Sequence, residues 1–153
     1  MKLNLAIFLS VLSLTATHAP AQPLTAVLAS GQTISYARGA KPPWEKDLLE
    51  RVAPDYSPWQ RERHNQGTGL YKGTIDVMTG AVVKVEVPKS AGVISLDEAV
   101  IVALKQWRFK PRKWREFEIF VSFVSFSDQQ LYRDYLRRMQ DRGLEQIPVR
   151  PGR

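Results

Sequence analysis

Catalysis near neutral pH needs convergent polar groups, and this chain supplies few that can converge. It has no cysteine and only two histidines. His18 falls in the N-terminal leader described below, so His64, within Arg63-His64-Asn65-Gln66, is the one later side chain that ordinarily titrates near neutrality. No Gly-x-Ser-x-Gly, His-x-x-x-His or Glu-bearing metal motif accompanies it, and it reads as a solvated loop residue. Asp97 and Glu98 are adjacent at a helix start, which suits capping and the helix dipole better than paired acid–base work. Gly67-Thr68-Gly69 lacks the preceding strand, the following helix and the lysine of a phosphate loop, and reads as a turn. The expectation is therefore no catalytic residue, no cofactor site, no metal site and no enzyme.

The remaining chemistry is electrostatic. Lys105, Arg108, Lys110, Arg112, Lys113 and Arg115 interleave with Trp107, Phe109 and Trp114, a combination of cations and stacking rings that polyanion binding would use. Trp107, however, lies on the apolar stripe of a helix and Phe109 follows it into a turn, so both are expected in the core. Trp114 and the cations are left for the surface, where polyanion contact stays a secondary reading and nucleic acid is not the expected partner.

Several elements must position these residues. Tyr71, Gly73, Ile75 and Val77 share one parity, as do Val83, Val85 and Val87, and Met78-Thr79-Gly80-Ala81 between them supplies a turn glycine, which predicts a hairpin ended by Pro88. Ser95-Leu96-Asp97-Glu98 has the capping-box form, with the serine oxygen facing a third-position amide. Leu96, Ala99, Val100, Ala103, Leu104 and Trp107 then follow at helical spacing until Pro111. From Glu116 to Phe126 alternation returns, with Phe117, Ile119, Val121 and Phe123 on one face and an unusually apolar Phe120, Val124 and Phe126 on the other. Glu45 to Val52 and Trp59 to Arg63, the latter started by Pro58, are read as short helices.

In their order these pieces resemble the C-terminal domain of the TonB energy-transducer family. The likeness spans roughly Ala53 to Phe126 and rests on Gly67-Thr68-Gly69, Ile75-Asp76 with Thr79-Gly80, Lys89-Ser90-Ala91-Gly92, Leu96-Asp97-Glu98-Ala99 and, above all, Trp107-Arg108-Phe109-Lys110-Pro111. Tyr56-Ser57-Pro58-Trp59-Gln60-Arg61 departs from the family's Tyr-Pro-x-x-Ala-Arg. The resemblance implies an α+β fold, a small antiparallel three-stranded sheet packed by helices. It implies protein binding in envelope and TonB-dependent transmembrane transport, with a segment of an outer-membrane receptor as partner. An extended peptide would add to the sheet edge along the last strand, at Glu116, Glu118, Phe120, Ser122 and Val124, while Leu96, Asp97, Trp107, Arg108, Phe109 and Pro111 would be structural supports.

With 153 residues, 44% of them hydrophobic, the chain has enough material for one domain with tails. Met1-Lys2, the apolar run from Leu5 to about Leu14, and Ala19-Pro20-Ala21 have the three parts of a secretory signal peptide, read as residues 1–21. A retained inner-membrane anchor is the alternative, although about 12 apolar residues reach only about 18 Å of a ~30 Å hydrocarbon core. Removing residues 1–21 takes one of the 22 basic residues and none of the 15 acids, so the net charge of +7 becomes +6. Residues 22–43 read as a linker or short edge segment, 44–126 as the domain, and 144–153 as a tail. Residues 127–143 read as a C-terminal helix, opened by Ser127-Asp128-Gln129-Gln130 and presenting Leu131, Tyr132, Tyr135, Leu136 and Met139. Export to the periplasm follows from the leader, and a disulfide-free core must hold the exported domain. Two other readings stay open: a self-associating structural envelope protein, including a homodimer, and a basic polyanion-binding protein. Membrane contact is expected only if the N-terminal segment is uncleaved.

Overall fold

The computed structural model describes residues 22–124 together with Arg133, Asp134 and Arg137. The expected leader at 1–21, the end of the last strand at Ser125 and Phe126, the tail at 144–153 and all but those three residues of the helix at 127–143 lie outside the described residues. Within them the order is β1 (Leu24–Leu28), β2 (Thr33–Tyr36), a 3-10 turn (Glu45–Asp47), β3 (Leu48–Glu50), α1 (Pro58–Glu62), β4 (Gly67–Ile75), β5 (Val82–Lys89), α2 (Ile94–Lys105), β6 (Arg108–Phe109) and β7 (Trp114–Phe123). The fold is α+β, but the main sheet has five strands, in the order β2-β1-β7-β4-β5, every pairing antiparallel. β3 and β6 form a small second sheet.

The three-stranded expectation fails because residues 22–43, expected as a linker or a short edge segment, supply two strands, one of them the edge strand β2. Leu24 and Ala26 alternate into the core, and Gly31, at φ +92, turns the chain so that Thr33–Tyr36 returns along β1. Glu45 to Val52 is not a helix either. One 3-10 turn gives way to β3, because Leu48 pairs with Phe109 and the Asp47 carbonyl accepts from the Lys110 amide at 2.8 Å. Gly67-Thr68-Gly69 is strand rather than turn, and β5 runs through Pro88 to Lys89, where its register with β4 shifts, the kind of edge-strand irregularity that accommodates a proline.

β4 places Tyr71, Gly73 and Ile75 against the helix side of the sheet, and the glycine is required by its neighbour. A Cβ at Gly73 would lie 2.2 Å from the Phe117 ring, so that ring occupies the space a side chain would take. α2 crosses this face with Leu96, Val100, Ala103 and Leu104 buried. Trp107 stacks on Phe117 with centroids 5.8 Å apart and planes 8° from parallel, and Trp44 and Phe109 close around the pair at 5.2–6.3 Å. Each fully buried large apolar side chain of this kind contributes about 1.5–3 kcal/mol.

The capping box does not form. α2 begins two residues earlier, its cap Val93 has no side-chain bond, and the Ser95 hydroxyl accepts from Gln60 of α1 instead. Capping by Ser57, whose hydroxyl accepts from the Gln60 amide at 3.3 Å, starts α1 at Pro58.

Candidate peptide-docking margin

The Trp107-Arg108-Phe109-Lys110-Pro111 segment ends α2 and locks it to the rest of the domain. Trp107 Nε1 donates to the Val52 carbonyl at 2.8 Å, and Phe109 is 1% exposed. The Arg108 guanidinium donates to the carbonyls of Lys105 and Trp107 at 3.1 and 2.8 Å, satisfying acceptors that the helix end leaves open. Pro111 occupies an exposed turn whose next residue, Arg112, has φ +61. Leu96 is fully buried. Asp97 is neither a cap nor an acid–base partner. It accepts from the Tyr71 hydroxyl at 2.5 Å, the Ala91 amide at 2.9 Å and the Ser90 hydroxyl. Burial pushes its carboxyl up, but these donors outweigh burial and hold it below the ordinary carboxylate value, while burial and Asp97 together push the Tyr71 hydroxyl up.

β7 is the middle strand of the sheet rather than its edge. β4 covers one side throughout, from Gly67↔Phe123 to Thr74↔Glu116, and β1 covers the other only from Leu28↔Trp114 to Ala26↔Phe117. Glu116 therefore has strand partners on both sides, Val27 and Thr74, and offers no free backbone group. At Glu118 the ladder to β1 stops for a definite reason. In continued register the Thr25 amide would donate to the Glu118 carbonyl; it donates instead to the Glu118 carboxylate at 2.7 Å, joined by the Thr25 hydroxyl at 2.9 Å. The carbonyl itself accepts from the Tyr36 hydroxyl.

That bond also fixes which way the strand points its backbone. Tyr36 lies on the β1 side, so the Glu118 carbonyl faces that side, and alternation sends the N–H and C=O of Phe120, Ser122 and Val124 the same way. Beyond Thr25 none of these has a strand partner among the described residues. Their side chains all lie on the outer face. Phe120 is half-buried beneath Arg38, whose guanidinium carbon is 4.2 Å from the ring centroid, and Ser122 is buried with its hydroxyl 2.8 Å from that of Thr68. Glu118 and Phe120 also line a cleft with Gln22, Pro23, Leu24, Thr25, Arg38 and Leu70.

The residues that end β1 and shape this margin, Thr25, Tyr36 and Arg38, come from the stretch expected as a linker or short edge segment. Their signal was present as two short alternations, Leu24/Ala26/Leu28 and Ile34/Tyr36, around Ser30-Gly31-Gln32. Trp44 was also missed. It is fully buried and donates to Tyr36 at 3.1 Å, so it holds the hydroxyl that caps Glu118. Trp114, expected at the surface with the cations, is 3% exposed and donates to Asp47 at 3.0 Å. The basic cluster consequently has no exposed ring for a base to stack on. His64 sits at φ +51 just after α1. Among the described residues no group of three histidine or acidic side chains is arranged to hold a metal ion, and no helix is long and apolar enough to cross a membrane.

Comparison with known proteins adds a sequence likeness. No family model matches the chain. Over 61 residues it is 34% identical to Protein TonB of Vibrio cholerae serotype O1 (strain ATCC 39315 / El Tor Inaba N16961), a stretch that is 40% of this chain and 25% of that protein. The chain thus spans about a quarter of the length of this curated relative. The solution NMR structure of the Pseudomonas aeruginosa TonB CTD aligns with a TM-score of 0.44 at 23% identity, over 54% of this chain and 87% of that one. The sequence likeness agrees with the motifs read above and supports a TonB C-terminal-like domain.

Proposed function

We propose that the chain is a periplasmic interaction domain of TonB type in envelope transport, and that it takes up an extended peptide, such as a segment of an outer-membrane receptor, by strand addition from Glu118 of β7 to Val124 just beyond it. The observation that carries this reading is the diversion of Thr25. Its amide goes to the Glu118 carboxylate and ends β1, so the backbone groups of Phe120, Ser122 and Val124 are left without a strand partner among the described residues. A peptide strand would satisfy them, with main-chain hydrogen bonds giving affinity and alternate side chains giving selectivity.

The other margins fit less well. β5 is an outer strand, but Pro88 removes a donor, Lys84 stands on its exposed side, and the β4–β5 register shifts twice, all features that discourage pairing at an edge. β2 is only four residues long. Binding of this kind uses no catalytic group and no cofactor. Export, with residues 1–21 removed, belongs to the same reading.

The test is binding of capped, β-branched heptapeptides, measured by fluorescence anisotropy, with each sequence repeated as a form N-methylated on alternate amides. Strand addition requires the N-methylated form in one of the two alternations to lose binding. Equal binding of both methylated forms, or exchange of the Phe120 and Ser122 amides that peptide leaves unchanged, would refute docking here. A chain that is dimeric by sedimentation and binds no peptide would turn the reading to self-association.

A further inference from the structure

The end of the sheet away from Phe120 gathers three turns: 28–32 after β1, 76–81 between β4 and β5, and 110–113 before β7. Main-chain bonds tie them into one unit. The Arg112 amide donates to the Val77 carbonyl at 2.7 Å, the Ala29 amide to the Lys113 carbonyl at 3.0 Å, and the Phe109 amide to the Gly80 carbonyl at 2.8 Å. Arg112, Lys113 and Arg115 project from this tip and are all exposed. Arg115 reaches only the Ala29 carbonyl, at 3.4 Å, and no carboxylate pairs with any of the three among the described residues. The nearby acids are engaged elsewhere, Asp47 with Lys110 and Trp114, and Asp76 with the amides of Met78 and Thr79 in its own turn. Met78, at the apex of the neighbouring turn, is 64% exposed.

We propose that this tip is a contact surface for an anionic phospholipid bilayer, with Arg112, Lys113 and Arg115 meeting the headgroup phosphates and Met78 entering the interface between them. The arrangement suits a lipid surface better than nucleic acid. The cations sit on and just after one turn, the exposed side chain on the turn bonded to it, Met78, is apolar, and the rings of Trp107, Phe109 and Trp114 are buried, so bases would find no ring of this cluster to stack on. Each cation near an anionic leaflet strengthens binding roughly fivefold, and that part of the binding is screened by salt. The site lies at the far end of the sheet from the proposed docking margin, so the two inferences stand or fall separately.

The experiment is vesicle co-sedimentation of the exported chain, residues 22–153, with phosphatidylglycerol–phosphatidylcholine vesicles and with pure phosphatidylcholine vesicles. Binding is expected to the first only and to weaken steeply with added salt, which the unmodified chain tests without any variant. Arg112→Asn with Lys113→Gln, asparagine being chosen because it tolerates the positive φ, should weaken it roughly 25-fold, two charges at about fivefold each. Met78→Ser should weaken it with an unchanged salt slope. Equal binding to both vesicles, an unaffected double variant with wild-type near-ultraviolet circular dichroism, or tighter binding to a mixed-sequence oligonucleotide than to the anionic vesicles would overturn the proposal.

Discussion

The Tyr36 hydroxyl donates to the main-chain carbonyl of Glu118 across the intervening strand β1, and in doing so it takes the acceptor that β1 would need to continue along β7. Trp44, buried in the aromatic core, donates to the same hydroxyl. A core tryptophan, an edge-strand tyrosine and a central-strand carbonyl thus form one chain, and the length of the open margin depends on it.

Removing that hydroxyl leaves the buried Trp44 N–H without its acceptor. Tyr36→Phe should destabilise the domain by about 1–3 kcal/mol, read as a lowered urea midpoint with an unchanged slope. Alkaline pH probes the same bond. Burial chiefly, with the Glu118 charge, pushes the Tyr36 hydroxyl up from 10.0 to about 12 against the opposing pull of Trp44. Above pH 10 the unfolded chain therefore gives up a proton that the folded chain keeps, and stability falls as pH rises toward 12. Tyr36→Phe should flatten part of that fall; an identical alkaline profile would show that Tyr36 is not its source.

Much of this architecture was legible in the sequence, and the reasons for the gaps are specific. The α2 stripe and the Trp107-to-Pro111 ending were readable because many apolar positions repeat at one spacing and a proline closes the run. β1 and β2 were harder to read, because alternations of only four or five residues carry little periodic signal, and β1 gains its strand character from pairing with β7, a contact distant in sequence, while β2 gains it from β1. Ser95 carried a genuine capping pattern that lost to a tertiary partner, Gln60. The five expected docking residues share one parity, but which of them faces a free margin depends on where β1 stops. That is decided by Thr25 choosing a side-chain oxygen over a main-chain one, and no local pattern announces such a choice.

Asp97 should make the acid limb of stability steep. Its carboxyl stays ionised below the ordinary value of 3.8 because Ala91, Ser90 and Tyr71 donate to it and together outweigh burial. A depressed folded value means a stabilising contribution that is fully present above the unfolded value and lost as pH falls through the folded one. Asp97→Asn should cost about 1–3 kcal/mol at neutral pH and make unfolding less steep below pH 4. An unchanged acid limb would assign it to Asp47, whose carboxyl is also held low by Trp114 and Lys110.

Gly73 tests the close approach at the centre of the sheet. A methyl group there would meet the Phe117 ring at 2.2 Å, and Phe117 cannot retreat because Trp107 is stacked on it. Gly73→Ala should destabilise by about 1–3 kcal/mol or more. Combined with Phe117→Leu, it should cost less than the sum of the two single changes, a coupling that a double-mutant cycle in urea would measure. Simple additivity would mean that the ring moves aside at little cost.

The junction at Glu118 makes the docking margin adjustable, which gives the most direct trial of the functional reading. Glu118→Ala removes the carboxylate that diverts the Thr25 amide, and Tyr36→Phe frees the Glu118 carbonyl to accept it. The double variant should extend β1 along β7 past Phe117, so that the Thr25 amide bonds to the Glu118 carbonyl and the chain at Gln22–Pro23 is drawn over Phe120. Amide exchange at Phe120 should slow relative to the parent, and peptide affinity should fall because the chain's own strand now competes for the same backbone groups. Slower exchange with undiminished affinity would place peptide docking somewhere other than this side of β7.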